Sequence, residues 1–230
     1  MTTSASYTKT YYDTIRSGSR YSALKIVPLI MKLVKPKSVV DVGCGTGEFL
    51  NVFTEHGIAD ILGLDGAYAQ SQLSIPQKFF KTIDLDKSFK LDRLFDLAIC
   101  LEVAEHLAPN SAVTFVKSLT QLAPVILFSA AIPGQGGTHH INEQWITYWV
   151  RLFKKNGFLP IDAIRKRIWT NPKVEVWYRQ NAIIFCQQDT LIKNPALARE
   201  IEATNESLLS LVHPEVFAYY VHPTKVALQS

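Results

Sequence analysis

Three groups of residues have types and spacing suited to chemistry. The first is Val39-Val40-Asp41-Val42-Gly43-Cys44-Gly45-Thr46-Gly47-Glu48, where three glycines alternate behind an acidic residue. Glycine accepts positive φ and lacks a Cβ, so a ligand can lie against the backbone there. The residues from Thr46 onward open a helix whose free N–H groups face the same space. Asp41, at the strand end, would repel a pyrophosphate and welcome an ammonium group. The spacing G-x-G-x-G also differs from the dinucleotide pattern G-x-G-x-x-G. The second is Asp65, which closes the next apolar run about 20 residues beyond the glycines, where a carboxylate can accept both hydroxyls of a ribose. The third comprises the histidines: His106, behind Glu102 and Glu105, and the pair His139-His140 in the loop Pro133-Gly134-Gln135-Gly136-Gly137-Thr138. Adjacent histidines on a loop diverge and no H-x-x-x-H spacing supports them, so no metal site is expected.

These residues need a scaffold. Residues 38–42, 58–64, 78–83, 96–101 and 125–130 read as short apolar strands, with helices expected over 48–56, 67–73, 112–122 and 143–156. That alternation implies an α/β fold, doubly wound around a mostly parallel sheet. Open sheets of this kind bind ligands at the carboxyl ends of their strands, where all three groups lie. Ahead of the first strand, residues 7–15 read as a short helix, 17–20 as a turn, and 22–33 as an amphipathic helix with Pro28 as a kink. Residues 158–169 and 173–187 read as long strands joined at Asn171-Pro172. The basic run Arg165-Lys166-Arg167 is expected on a solvated strand. A helix over 196–211 and two Val-His-Pro strings complete the chain, and residues 1–6 are expected to be disordered.

Hydrophobic residues make up 47% of the 230, enough for a sizeable core and too many for a disordered chain. A net charge of +4 does not call for a nucleic-acid partner. Cys44, Cys100 and Cys186 are scattered and odd in number, which suits reduced thiols and a cytoplasmic setting. Neither a signal peptide nor an apolar run of membrane-spanning length is visible.

The string Val-Asp-Val-Gly-Cys-Gly-Thr-Gly resembles the first motif of the class I methyltransferases that use S-adenosylmethionine. Gly63-Leu64-Asp65-Gly66, Ile83-Asp84-Leu85 and the segment from Phe95 to Leu107 match the same family in order. The sequence from Ala130 to Trp145 is similar to small bacterial methyltransferases of carbohydrate and natural-product gene neighbourhoods. The resemblance implies a seven-stranded Rossmann-like sheet ending in an antiparallel hairpin, with an N-terminal helical lid (1–36), a cofactor-binding core (37–188) and a helical tail (189–230). It implies that Gly43, Cys44, Gly45 and Gly47 floor the methionine part of the cofactor and that Asp41 organises its ammonium. Asp65 and Gly66 would meet the ribose, Asp84 and Leu85 the adenine, and Leu101 and Glu102 the methionine and sulfonium. Arg20, with Ser19 and Ser22, would close on the carboxylate.

The expected reaction is methyl transfer to a hydroxyl or amine of a small molecule or saccharide. Its base would be His140, then His139, then His106. A non-catalytic S-adenosylmethionine-binding module and a protein or peptide methyltransferase are the alternatives. A nicotinamide oxidoreductase is disfavoured by the glycine spacing and Asp41. Base methylation is disfavoured because Leu101-Glu102-Val103-Ala104 stands where Asn/Asp-Pro-Pro-Tyr would.

Overall fold

The computed structural model describes the backbone of residues 9–221 and the side chains of residues 17–219. Its centre is one sheet of β1 (Ser38–Val42), β2 (Asp60–Asp65), β3 (Phe80–Thr82), β4 (Leu97–Leu101), β5 (Val125–Ser129), β6 (Phe158–Ile161) and β7 (Ile183–Gln187). The order is β3-β2-β1-β4-β5-β7-β6, with β7 alone antiparallel to its neighbours. The order reverses between β1 and β4, whose carboxyl ends therefore flank the crevice such sheets use for ligands. β1 and β5 are apolar and almost wholly buried because helices cover both faces.

On one face α1 (Lys9–Leu33) packs on α2 (Glu48–Glu55), with Ala23, Ile26, Val27 and Ile30 fully buried. On the other, α3 (Ala112–Thr120) and α4 (Ile146–Lys155) bury Phe115, Trp149 and Phe153 against Phe128 and Phe185 of the sheet. Phe153 stacks on Phe185 with centroids 3.9 Å apart.

Several expected elements change. The short helix, turn and second helix before β1 are one continuous α1 running through Gly18 and Pro28. Glycine costs a helix about 1 kcal/mol, but a Cβ at Gly18 would lie 2.2 Å from Glu175 Oε1, so its absence lets α1 approach that segment. The expected antiparallel hairpin is present, but its long strands are reduced to their outer ends, β6 and β7. Between β6 and β7 the chain makes α5 (Arg165–Ile168) and α6 (Val176–Asn181). The buried residues there, Ile164 with Ile168 and Val174 with Tyr178, stand four apart, a helical spacing that the apolar runs disguised. Arg165 is not solvated: it is 2% exposed, grips Asp162 and donates to the Gln180 and Leu209 carbonyls.

The helix expected over 196–211 stops early: α8 (Pro195–Glu202) covers its first half and a short turn at Glu206–Leu208 part of the rest, with α7 (Gln188–Lys193) before it and α9 (Pro214–Val221) beyond. Asn194 caps α8 by accepting from Ala196 and Leu197 N–H, ahead of Pro195. His213 of the first Val-His-Pro string is buried, with Nε2 2.8 Å from the Trp169 carbonyl oxygen. The second string and residues 1–6 lie outside the described residues.

Candidate active site

After β1 the chain turns through Gly43, Gly45 and Gly47 with φ of 77°, 52° and 83°. A Cβ on Gly43 would lie 2.3 Å from Val103 Cγ2, whereas one on Gly45 would meet nothing within 4 Å. Packing therefore demands the first glycine, and open space surrounds the second. The turn is clamped to β2: Gly43 and Cys44 N–H both donate to the Leu64 carbonyl, at 2.7 and 3.2 Å. Gly45 N–H donates to Asp65 Oδ2 at 2.7 Å. Asp65 Oδ1 accepts from Gly66 N–H at 2.6 Å and from the Tyr68 hydroxyl at 2.5 Å.

Burial raises the pKa of the Asp65 carboxyl, and those three donors oppose the rise. Burial first, and the Asp65 charge second, hold Asp41 well above the usual carboxylate range. Two adjacent buried acids of this kind favour a ligand that brings positive charge.

A second wall forms after β4. Glu102 takes a φ of 54°, and its N–H donates to the Ser129 carbonyl and Oγ at 3.0 and 3.1 Å. A non-glycine residue held left-handed at a strand end is strain maintained by its surroundings. Its carboxylate accepts from Gln135 Nε2 at 3.1 Å and from Asn181 Nδ2 at 3.2 Å. Burial raises its pKa, and Ser129, Asn181 and Gln135 pull it back.

The short turn Ala104–His106 follows. Glu105 is fully buried, and neither carboxylate oxygen has a well-formed hydrogen bond. Burial and the neighbouring Glu102 charge hold its pKa well up, against the nearby N–H groups of Glu105 and Ala131. His106 is pushed down to about 4 by burial and then by His140, so its ring is neutral at pH 7.

The loop after β5 is stitched onto this turn, with Ile141 and Asn142 N–H donating to the Glu105 carbonyl at 2.9 and 3.0 Å. One carboxylate shapes the loop: Glu143 accepts from Gly134 N–H and Gly136 N–H, each at 2.7 Å, and lies 2.9 Å from His140 Nδ1. The His140 ring meets His106 edge-on, centroids 4.8 Å apart. His139 does diverge: it is exposed, with a φ of 61°, and its backbone bonds the His106 ring.

The two walls enclose one cavity of about 810 Å³. Asp41, Asp65, Glu102, Glu105, His106 and His140 all line it. Asp84, exposed and paired with Lys87 at 2.8 Å, lines it too, beside buried Leu85. A family profile described as a methyltransferase domain matches residues 15–166. The chain belongs to that family. No curated protein matches it in sequence.

Solved methyltransferases share the fold of this methyltransferase. A sugar N-methyltransferase, KedS8 from a Streptoalloteichus species, is 15% identical with a TM-score of 0.58, covering 81% of this chain and 96% of its own. Magnesium protoporphyrin IX methyltransferase from Synechocystis, solved with SAH bound, is 19% identical at 0.53, covering 81% and 90%. The methyltransferase domain of bacterial CtHen1 is 21% identical at 0.51, covering 72% and 97%.

The methyltransferase brings most of the sequence-predicted residues to one cavity. Gly43, Cys44, Gly45, Asp41, Asp65, Gly66, Asp84, Leu85, Leu101, Glu102, His106 and His140 border it; Gly47, which faces Ile75, does not, nor do His139 and Arg20. Arg20 instead pairs with Glu55 at 2.8 Å and with Glu48 at 3.5 Å on α2; it follows Ser19, which does line the cavity, by about 100° around α1 and so points elsewhere. Ser22 is fully buried and accepts from Glu175 N–H; only Ser19 of that trio reaches the cavity. Glu105, Gln135, Glu143 and Asn181 were missed as site residues. For Glu105 a signal existed in the string Glu102-x-x-Glu105-His106. The other three act across 33 to 79 residues or through backbone groups, which no local pattern records.

Proposed function

We propose that this chain transfers the methyl group of S-adenosylmethionine to a hydroxyl or amine of a small molecule or saccharide. The observation that carries this reading is the shared cavity: the glycine turn and Asp65 form one wall, and Glu105, His106 and His140 the other. The cavity suits the cofactor. Backbone at Gly45 is open to close approach, the buried acids Asp41 and Asp65 favour a cationic ligand, and the volume lies within the roughly 300–1,000 Å³ of small-molecule sites.

Asp41 would hold the methionyl ammonium, and Asp65, whose Oδ1 accepts from the Tyr68 hydroxyl in this structure, would take the ribose hydroxyls. Asp84 and Leu85 serve the adenine, and Leu101 and Glu102 flank the methionine chain. When bound, the cofactor supplies a methyl group already activated on a sulfonium, whose leaving thioether is neutral. The protein's task is alignment, exclusion of water, and removal of the acceptor's proton. That proton leaves at the far wall, where Glu105, His106 and His140 stand. Proteins of this fold are named for a sugar and for magnesium protoporphyrin IX, so the fold leaves the acceptor open.

Calorimetry tests the reading. Folded protein should bind S-adenosylmethionine and its demethylated product at micromolar levels. Asp65→Ala should weaken both by about 1–3 kcal/mol, the loss of a buried acceptor. Absence of heat with either ligand overturns the proposal.

A further inference from the structure

We propose that Glu105, His106 and His140, with Glu102 beside them, form a binding site for one divalent transition-metal cation on the acceptor side of the cavity. One ligand atom from each of Glu105, His106 and His140 lies within 4.8 Å of the others. The convergence is built, because the two N–H bonds from Ile141 and Asn142 to the Glu105 carbonyl fasten the loop to the turn.

Three further observations point to a missing cation. First, Glu105 is wholly buried, with both oxygens lacking well-formed partners. Buried polar atoms are satisfied in the large majority of cases, so such an orphan asks for a ligand. Second, among the described residues no Lys or Arg forms an ion pair with Glu102 or Glu105: Glu102 meets two neutral amides, the Ser129 hydroxyl and the Glu105 carboxyl itself, so two buried acids face each other with no cation between them. Third, both histidines are prepared as ligands. His140 Nδ1 is held on Glu143 at 2.9 Å, leaving Nε2, and one nitrogen of His106 is held by the His139 backbone. Metal-binding histidines characteristically anchor their second nitrogen in this way.

Two imidazoles and a carboxylate select Zn²⁺, Mn²⁺, Fe²⁺ or Co²⁺ over Ca²⁺. Three protein ligands leave positions open for water or an acceptor oxygen. This inference deepens the methyl-transfer reading and rests on it for the acceptor. It narrows the acceptor to one presenting an oxygen to the cation, and it makes His140 a ligand in place of the free base expected from sequence.

The test uses full-length protein freed of metal by a chelator. Mn²⁺ is followed by electron paramagnetic resonance and Zn²⁺ by calorimetry, with S-adenosylmethionine titrated in parallel. One equivalent of Mn²⁺ or Zn²⁺ should bind, with affinity falling at least 10-fold in Glu105→Gln and in His140→Gln. His140→Gln lies on the loop, so it remains informative if the buried substitution unfolds the protein. No saturable binding of either ion by folded protein, or binding that His140→Gln leaves unchanged, overturns the cation site. Metal binding without S-adenosylmethionine binding would retain the site and overturn the methyl-transfer reading, whereas the reverse would retain only the latter.

Discussion

Two glycine-rich loops leave carboxyl ends of the same sheet, and they are held in opposite ways. The turn after β1 is fixed by packing and by backbone bonds to β2, with Val103 pressed against Gly43 and Ile75 against Gly47. The loop after β5 is largely exposed; a Cβ at Gly134 or Gly136 would meet nothing within 4 Å, and the single side chain Glu143 gathers its N–H groups and His140. Rigidity in the first is spread over a core, whereas in the second it rests on one carboxylate. The backbone path of the β1 turn therefore has several independent supports, and that of the β5 loop has one.

The sharpest test of that contrast is Gly43→Ala against Gly45→Ala. The first adds left-handed strain and a clash with Val103 and should cost about 2–5 kcal/mol in urea unfolding. The second adds strain alone, about 1–2 kcal/mol, while blocking the cofactor. Equal losses of stability would end the distinction between a packed glycine and an open one.

Glu143→Ala should come next. It removes the acceptor of two N–H groups and frees His140, for about 1–3 kcal/mol of stability. Turnover should fall by at least about 10-fold with the cofactor dissociation constant unchanged. A matching loss of cofactor affinity would show that the two loops are not independent.

The smallest effect belongs to Arg20→Ala. Its pair with Glu55 is exposed, so stability should change by less than about 1 kcal/mol and cofactor affinity not at all. A weakened cofactor would restore the carboxylate role expected from sequence and place α1 in the site.

This contrast also separates what the sequence disclosed from what it hid. The glycine turn was legible because strand, turn and helix are contiguous, and each residue type answers a local backbone need. Asp65 was legible by its place at the end of β2. The loop's glycines marked irregular backbone, but Glu143 lies at the loop's far end and works backwards on Gly134 and Gly136, so it looked like the start of a helix. Glu105 and His140 meet only through the bond that ties loop to turn. The excursion between β6 and β7 was misread for a different reason. Its short helices interrupt β-branched and aromatic runs; α5 is a single turn, too short to show a period, and in α6 the burial of Tyr178 to Asn181 removes the polar face that marks a surface helix.

That excursion has a consequence for how such an enzyme changes its trade. Tyr178 borders the cavity and Asn181 bonds Glu102, yet both lie beyond residue 166, where the family match ends. They are brought in by α6, whose two ends are anchored by strands that pair regardless of what lies between them. A different segment between the same two strands is expected to reshape this wall of the cavity and leave the β1 turn as it is. Swapping it between relatives would transplant selectivity and leave the methyl donor the same.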